Sequence, residues 1–129
     1  PRIFRVNWFR KDEHGRFIWP GFGQNMRVLK WVVERCDGTA SAIEGPLGWL
    51  PAYEDLTWDG LAFPRKSYFA IMNIDKEVAR QETVDQEELF TRFGDHLPRE
   101  MELETELQLA RLYHSPDLWD LAAAVGPID

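Results

Sequence analysis

The residues of this sequence best suited to chemistry are aromatic rings and an amide near its start, around a loop rich in glycine and proline. Five Phe and Trp rings lie between residues 8 and 22, and they belong to Trp8, Phe9, Phe17, Trp19 and Phe22. Pro20, Gly21 and Gly23 interrupt any helix or strand that would direct all of these rings into one core. Some of the rings are therefore expected to line a surface pocket. Such a pocket suits a nucleobase, which stacks through its π-face and forms hydrogen bonds along its edge.

The charge of the chain is distributed unevenly. The net charge is −7, yet residues 1–35 carry eight basic and three acidic side chains, or +5, which leaves −12 for the remainder. A positive, aromatic-rich first part suits a phosphorylated small ligand. Nucleic acid fits less well, because the acidic remainder would repel a polyanion and no extended basic stripe follows the rings. Arginines that only solvate a surface are the alternative interpretation.

Length, cysteine content and hydropathy limit the class of protein. The 129 residues suffice for one modest domain, and Cys36 is the only cysteine. An intramolecular disulfide is therefore excluded, which favours an intracellular setting. No segment has the apolar length of a membrane span. We expect a cytoplasmic protein without a membrane partner.

A strand, a loop and a helix must position the rings. Residues 2–9 alternate between an apolar face and a mixed face, which predicts a short strand. The loop 20–24 follows. Asn25 has the character of a helix N-cap, because apolar residues follow it at helical spacing, and Asp37 with Gly38 supplies the stop.

The remainder of the chain predicts irregular structure and then helices. Residues 39–63 are rich in turns and are expected to be packed by large side chains, namely Trp49, Tyr53, Leu56, Trp58 and Leu61. Later helices are predicted over 64–72, from Asp75 as N-cap to Phe93, from Pro98 as first helical residue, and from Ser115-Pro116 to Val125. The predicted fold class is α+β, with a short N-terminal strand and an aromatic Gly/Pro loop before a mainly helical C-terminal part.

Patterns for catalysis or metal binding are not found in the sequence. No Gly-x-x-x-x-Gly-Lys-Ser/Thr loop is present, and the weak dinucleotide pattern that starts at Gly21 fails because Met26 replaces its third glycine. His14, His96 and His114 lie far apart, without carboxylates or cysteines at ligand spacing. We assign no catalytic residue and no metal ligand.

The run from Phe4 to Trp31, FRVNWFRKDEHGRFIWPGFGQNMRVLKW, closely resembles the C-terminal part of the GTP-dependent phosphoenolpyruvate carboxykinases. The resemblance extends over roughly residues 2–112 and includes shorter motifs: GPLGWLP at 45–51, YEDL at 53–56, WDGL at 58–61, IDKE at 74–77 and FGDHLP at 93–98. The first run is the most specific, because generic packing does not explain its order of Trp, Phe, Pro and Gly. Residues 113–129 lie beyond the resemblance.

This resemblance implies a guanine site. Phe9 and Phe22 would stack on the two faces of the base, and Phe17 would close an edge. Asn25 would contact the base, and its amide has both a donor and an acceptor for guanine O6, N1 and N2. Core packing of the rings and helix capping by Asn25 are the alternative roles.

The resemblance also implies the reaction of the complete enzyme. Oxaloacetate and GTP would be converted to phosphoenolpyruvate, GDP and CO2 with a divalent metal, Mn or Mg. The family's metal ligands, phosphate loop, reactive cysteine and oxaloacetate-binding arginines belong to segments upstream of Phe4. We therefore expect the isolated chain to be inactive, and Cys36 is not that cysteine.

In this interpretation residues 1–129 are a single C-terminal piece of a larger α/β nucleotide-binding domain. Residues 1–38 would form the guanine pocket, 39–63 an irregular stretch and 64–129 a helical part. The expected partners are a guanine nucleotide and the remainder of the parent enzyme. Either self-association of the isolated chain, or detachment or rearrangement of the strand, is expected, because a strand at 2–9 would expose an edge.

Two other classes of function stay open at this point. One is a free-standing nucleotide-binding or protein-interaction module without enzyme activity. The other is a structural helical domain whose aromatic cluster is core.

Overall fold

The computed structural model describes residues 2–126, which contain five helices and two small two-stranded sheets. The elements in chain order are α1 (Asn25–Cys36), β1 (Ile43–Gly45), β2 (Gly48–Leu50), α2 (Arg65–Met72), β3 (Ile74–Asp75), α3 (Lys76–Thr91), α4 (Arg99–His114), β4 (Leu118–Trp119) and α5 (Leu121–Val125). Short 3-10 turns lie at Phe22–Gln24, Tyr53–Asp55 and Gly94–His96. This mixture of helices and small sheets confirms the α+β class.

The described chain packs as two compact units. The first unit contains residues 2–43, 50–72 and 121–126, and the second contains 44–49 and 73–120. The aromatic loop and all four candidate site residues belong to the first unit.

An aromatic cluster forms the core of the first unit. Trp58 stacks on Tyr53 and on Phe63, with ring centroids 4.6 Å and 5.5 Å away. Tyr68 is almost completely buried, and its hydroxyl donates a hydrogen bond of 2.7 Å to the carbonyl oxygen of Pro51. Burial raises the pKa of the Tyr68 hydroxyl above its usual range, so this hydroxyl remains a donor.

The strand expected at residues 2–9 is not formed. The segment instead lies along α1, where the Phe4 ring packs edge-on against Trp31 at 6.0 Å and the Arg2 guanidinium donates to the carbonyl of Arg35. Alternation predicts two faces, but a strand also needs a neighbour that continues the hydrogen-bond ladder. Among residues 2–126, no named strand pairs with this segment.

Helix α1 begins one residue earlier than the sequence suggested. The 3-10 turn at Phe22–Gln24 leads directly into it, so Gln24 occupies the cap position and Asn25 is the first helical residue. The expected role of Asn25 as N-cap is therefore wrong. The expected end is confirmed, because Asp37 is the C-cap and Gly38 has a φ of 76°.

Residues 39–63 are more ordered than expected, since they contain β1, β2 and a 3-10 turn. Tyr53 and Trp58 pack into the aromatic cluster and Leu56 is buried, as expected. Trp49 is exposed, so its expected packing role is wrong. It lies on β2, which pairs with the neighbouring strand β1.

The second unit is built on α3 packed against α4. Asp75 caps α3 as expected, and its carboxylate accepts a 2.9 Å hydrogen bond from the Val78 N–H. Helix α3 ends at Thr91, two residues before the expected end. Pro98 is the N-cap of α4 and not its first residue.

The helix expected from Ser115 is wrong over its first half. Ser115 caps the end of α4, and β4 then pairs antiparallel with β3, with Ile74 opposite Trp119. Lys76 holds this stretch, because its ammonium donates to the carbonyls of Tyr113 and Ser115 at 3.1 Å and 3.0 Å. Of the helix expected over residues 115–125, only the short α5 is formed.

Candidate functional site

A tight turn places Phe17 beside Phe9. The Asp12 carboxylate accepts hydrogen bonds of 2.9 Å from the backbone N–H groups of His14 and Arg16, and Phe17 lies in a bridge opposite Lys11. These contacts fold the chain back on itself. The ring centroids of Phe9 and Phe17 are then 5.9 Å apart, with 62° between the ring planes.

Electrostatics favour the charged form of the carboxylate in this turn. The backbone N–H of Arg16 holds the pKa of Asp12 below its usual range, and the Arg16 guanidinium pairs with the same carboxylate at 3.0 Å. The turn therefore retains its two backbone hydrogen bonds at neutral pH.

The rings of Phe9 and Phe17 are surface rings. They are 69% and 57% exposed. The Asn7 side chain accepts a 2.9 Å hydrogen bond from the Phe9 N–H, which fixes the backbone there. The Lys11 ammonium lies 5.1 Å from the Phe17 ring centroid, where a cation is attracted by the π-face.

Phe22 combines an exposed ring with an unfavourable backbone. It is 96% exposed and has a φ of 42°, in the left-handed region that bulky residues avoid. Gly21 precedes it at φ 77° and ψ −173°, a conformation essentially restricted to glycine. Backbone strain without compensating burial is typical of functional sites.

Asn25 is engaged by a buried tryptophan. The indole Nε1–H of Trp19 donates a 2.7 Å hydrogen bond to Asn25 Oδ1. Trp19 is only 5% exposed and packs against Trp8, Trp58 and Phe63, at centroid distances of 6.2, 6.4 and 5.5 Å. Asn25 itself is half-buried.

The structure thus brings the predicted residues together in pairs. Phe9 contacts Phe17, and Asn25 contacts Trp19. Phe22 joins no ring pair within residues 2–126. A base stacked between Phe9 and Phe22 would need a gap of about 7 Å between the two rings, twice an aromatic stacking distance, and this gap stays a prediction.

Sequence reasoning missed the roles of Trp19 and Lys11. Trp19 precedes Pro20 and lies six residues before Asn25. Because an indole N–H can only donate, a nearby amide oxygen is a suitable acceptor, and this was the available signal. The signal for Lys11 was a cation among aromatic residues.

Several basic side chains of the first part bond to backbone carbonyls. Arg10 donates to Ile71 at 2.9 Å, and Arg27 donates to Asp59 at 2.8 Å and to Thr57. These arginines connect separate segments of the first unit. The positive charge of residues 1–35 is thus in part structural, whereas the Lys11 ammonium lies over a site ring.

The divalent metal implied by the resemblance does not fit the residues present. Within the part of the chain that the structure describes, no three side chains of His, Cys, Asp or Glu lie together in a way that could hold an ion.

Cys36 is an exposed free thiol at the end of α1. Over residues 2–126, no helix combines the length and apolar character needed to cross a membrane.

The exposed rings lie on a Gly/Pro loop next to the start of α1, within the segment that comparison with known proteins assigns to a family. A family model described as the phosphoenolpyruvate carboxykinase C-terminal P-loop domain matches residues 1–111. The chain belongs to the GTP-dependent phosphoenolpyruvate carboxykinase family. The expected resemblance is therefore confirmed.

Individual relatives show the same similarity. The chain is 45% identical over 112 residues to phosphoenolpyruvate carboxykinase [GTP] of Anaeromyxobacter dehalogenans, a match that covers 87% of this chain and 19% of the relative. The corresponding protein of Renibacterium salmoninarum is 45% identical over 103 residues, with coverage of 78% and 17%. That of Treponema pallidum is 39% identical over 113 residues, with coverage of 87% and 18%. The chain thus spans about a fifth of the length of the curated relatives it matches.

Proposed function

We propose that this chain is the guanine-binding C-terminal part of a GTP-dependent phosphoenolpyruvate carboxykinase. The observation that carries the proposal is Phe22, an exposed ring in a strained backbone conformation within the segment of highest resemblance. Phe9 and Phe22 would stack on the base, with Phe17 at an edge. Asn25, the first residue of α1, would bond to the base.

The geometry supports a site for the base more than a site for chemistry. Aromatic rings that are exposed on a rigid scaffold can stack on a base at little cost in ordering. Lys11 adds positive charge beside Phe17, which suits an anionic ligand such as GTP or GDP. No residue of this chain is assigned a catalytic role.

The complete enzyme is proposed to convert oxaloacetate and GTP to phosphoenolpyruvate, GDP and CO2 in the cytoplasm. Residues 1–129 would be one piece of its nucleotide-binding domain, with the remainder of the enzyme as partner. The 129 residues contain no Gly-x-x-x-x-Gly-Lys-Ser/Thr loop, and residues 2–126 hold no metal cluster. We therefore expect the purified chain to form no phosphoenolpyruvate from oxaloacetate and GTP, and measurable formation would contradict this part of the proposal.

Tryptophan fluorescence tests the base site directly. Trp8 and Trp19 lie beside the proposed pocket residues, so GTP should quench their emission more strongly than ATP does. Stacking contributes about 1 to 3 kcal/mol per base, so the dissociation constant should be millimolar or weaker.

The variant Phe22→Ala should abolish the difference between GTP and ATP. Phe93→Ala is the matched control, because Phe93 is also an exposed ring but lies in the second unit. Equal quenching by the two nucleotides in the wild-type chain would contradict a guanine site.

A further inference from the structure

We propose that Trp19 is a positioning residue that selects the base by fixing which end of the Asn25 amide faces the ligand. The inference rests on the proposed function, because it takes Asn25 as the residue that contacts the base. It goes further in assigning a direction to that contact and in naming the residue that sets it.

The first step is the hydrogen bond between the two side chains. An indole N–H is a donor without any acceptor capacity, so only the oxygen of the amide can satisfy it. The 2.7 Å bond from Trp19 Nε1 to Asn25 Oδ1 therefore orients the amide. The Nδ2 group, with its two N–H donors, is left for a ligand.

The second step is the rigidity of both partners. Trp19 is enclosed by Trp8, Trp58 and Phe63, so its ring cannot follow a rotating amide. The backbone N–H of Asn25 donates to the carbonyl of Phe22, which fixes the amide's stem. Turning the amide over would leave a buried indole N–H without an acceptor, which is costly.

The third step is the chemistry of the purine edge. Guanine presents an acceptor, O6, where adenine presents a donor, the N6 amino group. An outward Nδ2 donor is complementary to a 6-oxo purine and faces the adenine amino group donor to donor. Guanine and hypoxanthine are therefore accepted, and purines with a 6-amino group are rejected.

A spectroscopic measurement tests the hydrogen bond without any ligand. In the 129-residue chain, the Trp19 indole proton should exchange slowly with solvent. Asn25→Ala should speed this exchange about tenfold or more, whereas Asn25→Asp should leave it slow because a carboxylate oxygen still accepts. Exchange that is equally slow in Asn25→Ala would overturn the inference.

A nucleotide series tests the selection. GTP and 2,6-diaminopurine riboside triphosphate share the 2-amino group and differ at the 6-position and in the proton on N1, and ITP keeps O6 and the N1 proton but lacks the 2-amino group. The wild-type chain should bind GTP about tenfold more tightly than the diaminopurine nucleotide. ITP should also bind more tightly than ATP.

Variants then separate positioning from structural support. Trp19→Phe should reduce the GTP preference to about twofold or less, because the amide becomes free to rotate. Asn25→Asp should lower the preference, since it places a carboxylate oxygen where Nδ2 faced O6 while keeping the indole bond. Trp58→Phe is the matched control in the same aromatic cluster, because the Trp58 indole donates to the Tyr53 carbonyl and not to Asn25. Trp58→Phe should weaken the binding of all the nucleotides equally and leave the ratios of their dissociation constants unchanged.

The outcomes distinguish this inference from the proposed function. If the wild-type chain does not prefer GTP to ATP, the proposed function fails and the inference fails with it. If the chain prefers GTP and Trp19→Phe retains the full preference, the inference alone is overturned. Should Trp19→Phe fail to fold, Asn25→Asp decides: a lowered GTP preference supports the inference, and a fully retained GTP preference overturns it.

Discussion

Phe22 pairs a fully solvated ring with a left-handed backbone, so its conformation lowers stability without any gain from burial. Asn tolerates this region better than a bulky residue does, and the cost for most residues is about 1 to 2 kcal/mol. We expect Phe22→Asn to raise the free energy of unfolding by about 1 kcal/mol and to remove the difference between GTP and ATP. Urea unfolding and nucleotide titration on the same sample measure the two effects.

The control for this prediction is Phe93→Asn. Phe93 is also exposed but has an ordinary φ of −81°, so the same change should bring no gain in stability. A loss of stability in Phe22→Asn would show that the ring packs in solution and would argue against an exposed stacking surface.

Asp12 makes the turn beside the rings sensitive to acid. Its pKa is lowered in the folded chain, chiefly by the hydrogen bond from the Arg16 backbone N–H. A carboxyl group with a lowered folded pKa stabilises the fold above its unfolded pKa, and that contribution is lost as the pH falls through the folded value. We expect the amide resonances of His14 and Arg16 to shift on titration from about pH 6 to about pH 2.

The variant Asp12→Asn keeps an acceptor oxygen but does not titrate, so it should flatten this dependence. If both amide resonances shift equally in the wild-type chain and in Asp12→Asn, then Asp12 does not control the turn.

At the scale of single residues, composition predicted that some of the rings reach the surface, but not what the Asn25 amide contacts. Pro20 and the neighbouring glycines rule out one shared core for the rings, and the exposed Phe9, Phe17 and Phe22 agree with that argument. The N-cap role of Asn25 failed because the 3-10 turn before α1 moved the cap to Gln24. A positive φ at Phe22, on which that turn depends, has no signature in a residue that normally avoids it.

Between elements, the contact of α3 with α4 includes a buried polar pair. Gln108 donates to the Thr83 hydroxyl, which in turn donates to the Ala79 carbonyl, and both side chains are buried. Thr83→Val keeps the shape but leaves the Gln108 amide without this acceptor. We expect a loss of about 1 to 3 kcal/mol in the free energy of unfolding, measured in urea.

Two further variants identify the cause of that loss. Thr83→Ser retains the hydroxyl and should recover much of the stability. Combining Thr83→Val with Gln108→Leu removes both polar groups and should also be more stable than Thr83→Val alone. If Thr83→Val alone is neutral, the pair contributes nothing and the helix contact is purely apolar.

Helices were predictable where local signals decide them, and short strands were not. Asp75 as cap and Gly38 as stop both act within one turn of the residues they affect. Strands β3 and β4 have two residues each and pair across more than 40 positions of sequence, so no periodicity could reveal them. The alternation of residues 2–9 predicted a strand that is not formed. Alternating faces are not sufficient, because a strand also needs a neighbouring strand to pair with.

In the whole molecule, the residues beyond the family match take part in the fold. The match ends at residue 111, yet Leu121 of α5 is completely buried and α5 contacts α2 within the first unit. In the second unit, β4 completes a sheet with β3. The segment from 112 to 126 is therefore integral to this chain's structure, although the resemblance gave no account of it.

The exposed surface of α1 predicts that the isolated chain self-associates. Met26, Leu29 and Val33 are all exposed and, at spacings of three and four residues, share the helix face opposite the buried Trp31. The sequence predicts self-association through a strand edge at 2–9, or else the loss of that strand. Because the strand is not formed, this apolar face is the expected surface of association.

Light scattering of the purified chain should show a mass above that of one chain, falling on dilution. Leu29→Glu combined with Val33→Lys should shift the chain toward the monomer, because charged side chains would have to be desolvated on association. Val78→Lys is the control, since Val78 is similarly exposed but lies on α3 in the second unit. A wild-type chain that stays monomeric at every concentration would contradict the prediction, and equal effects of both variants would place the contact elsewhere than on α1.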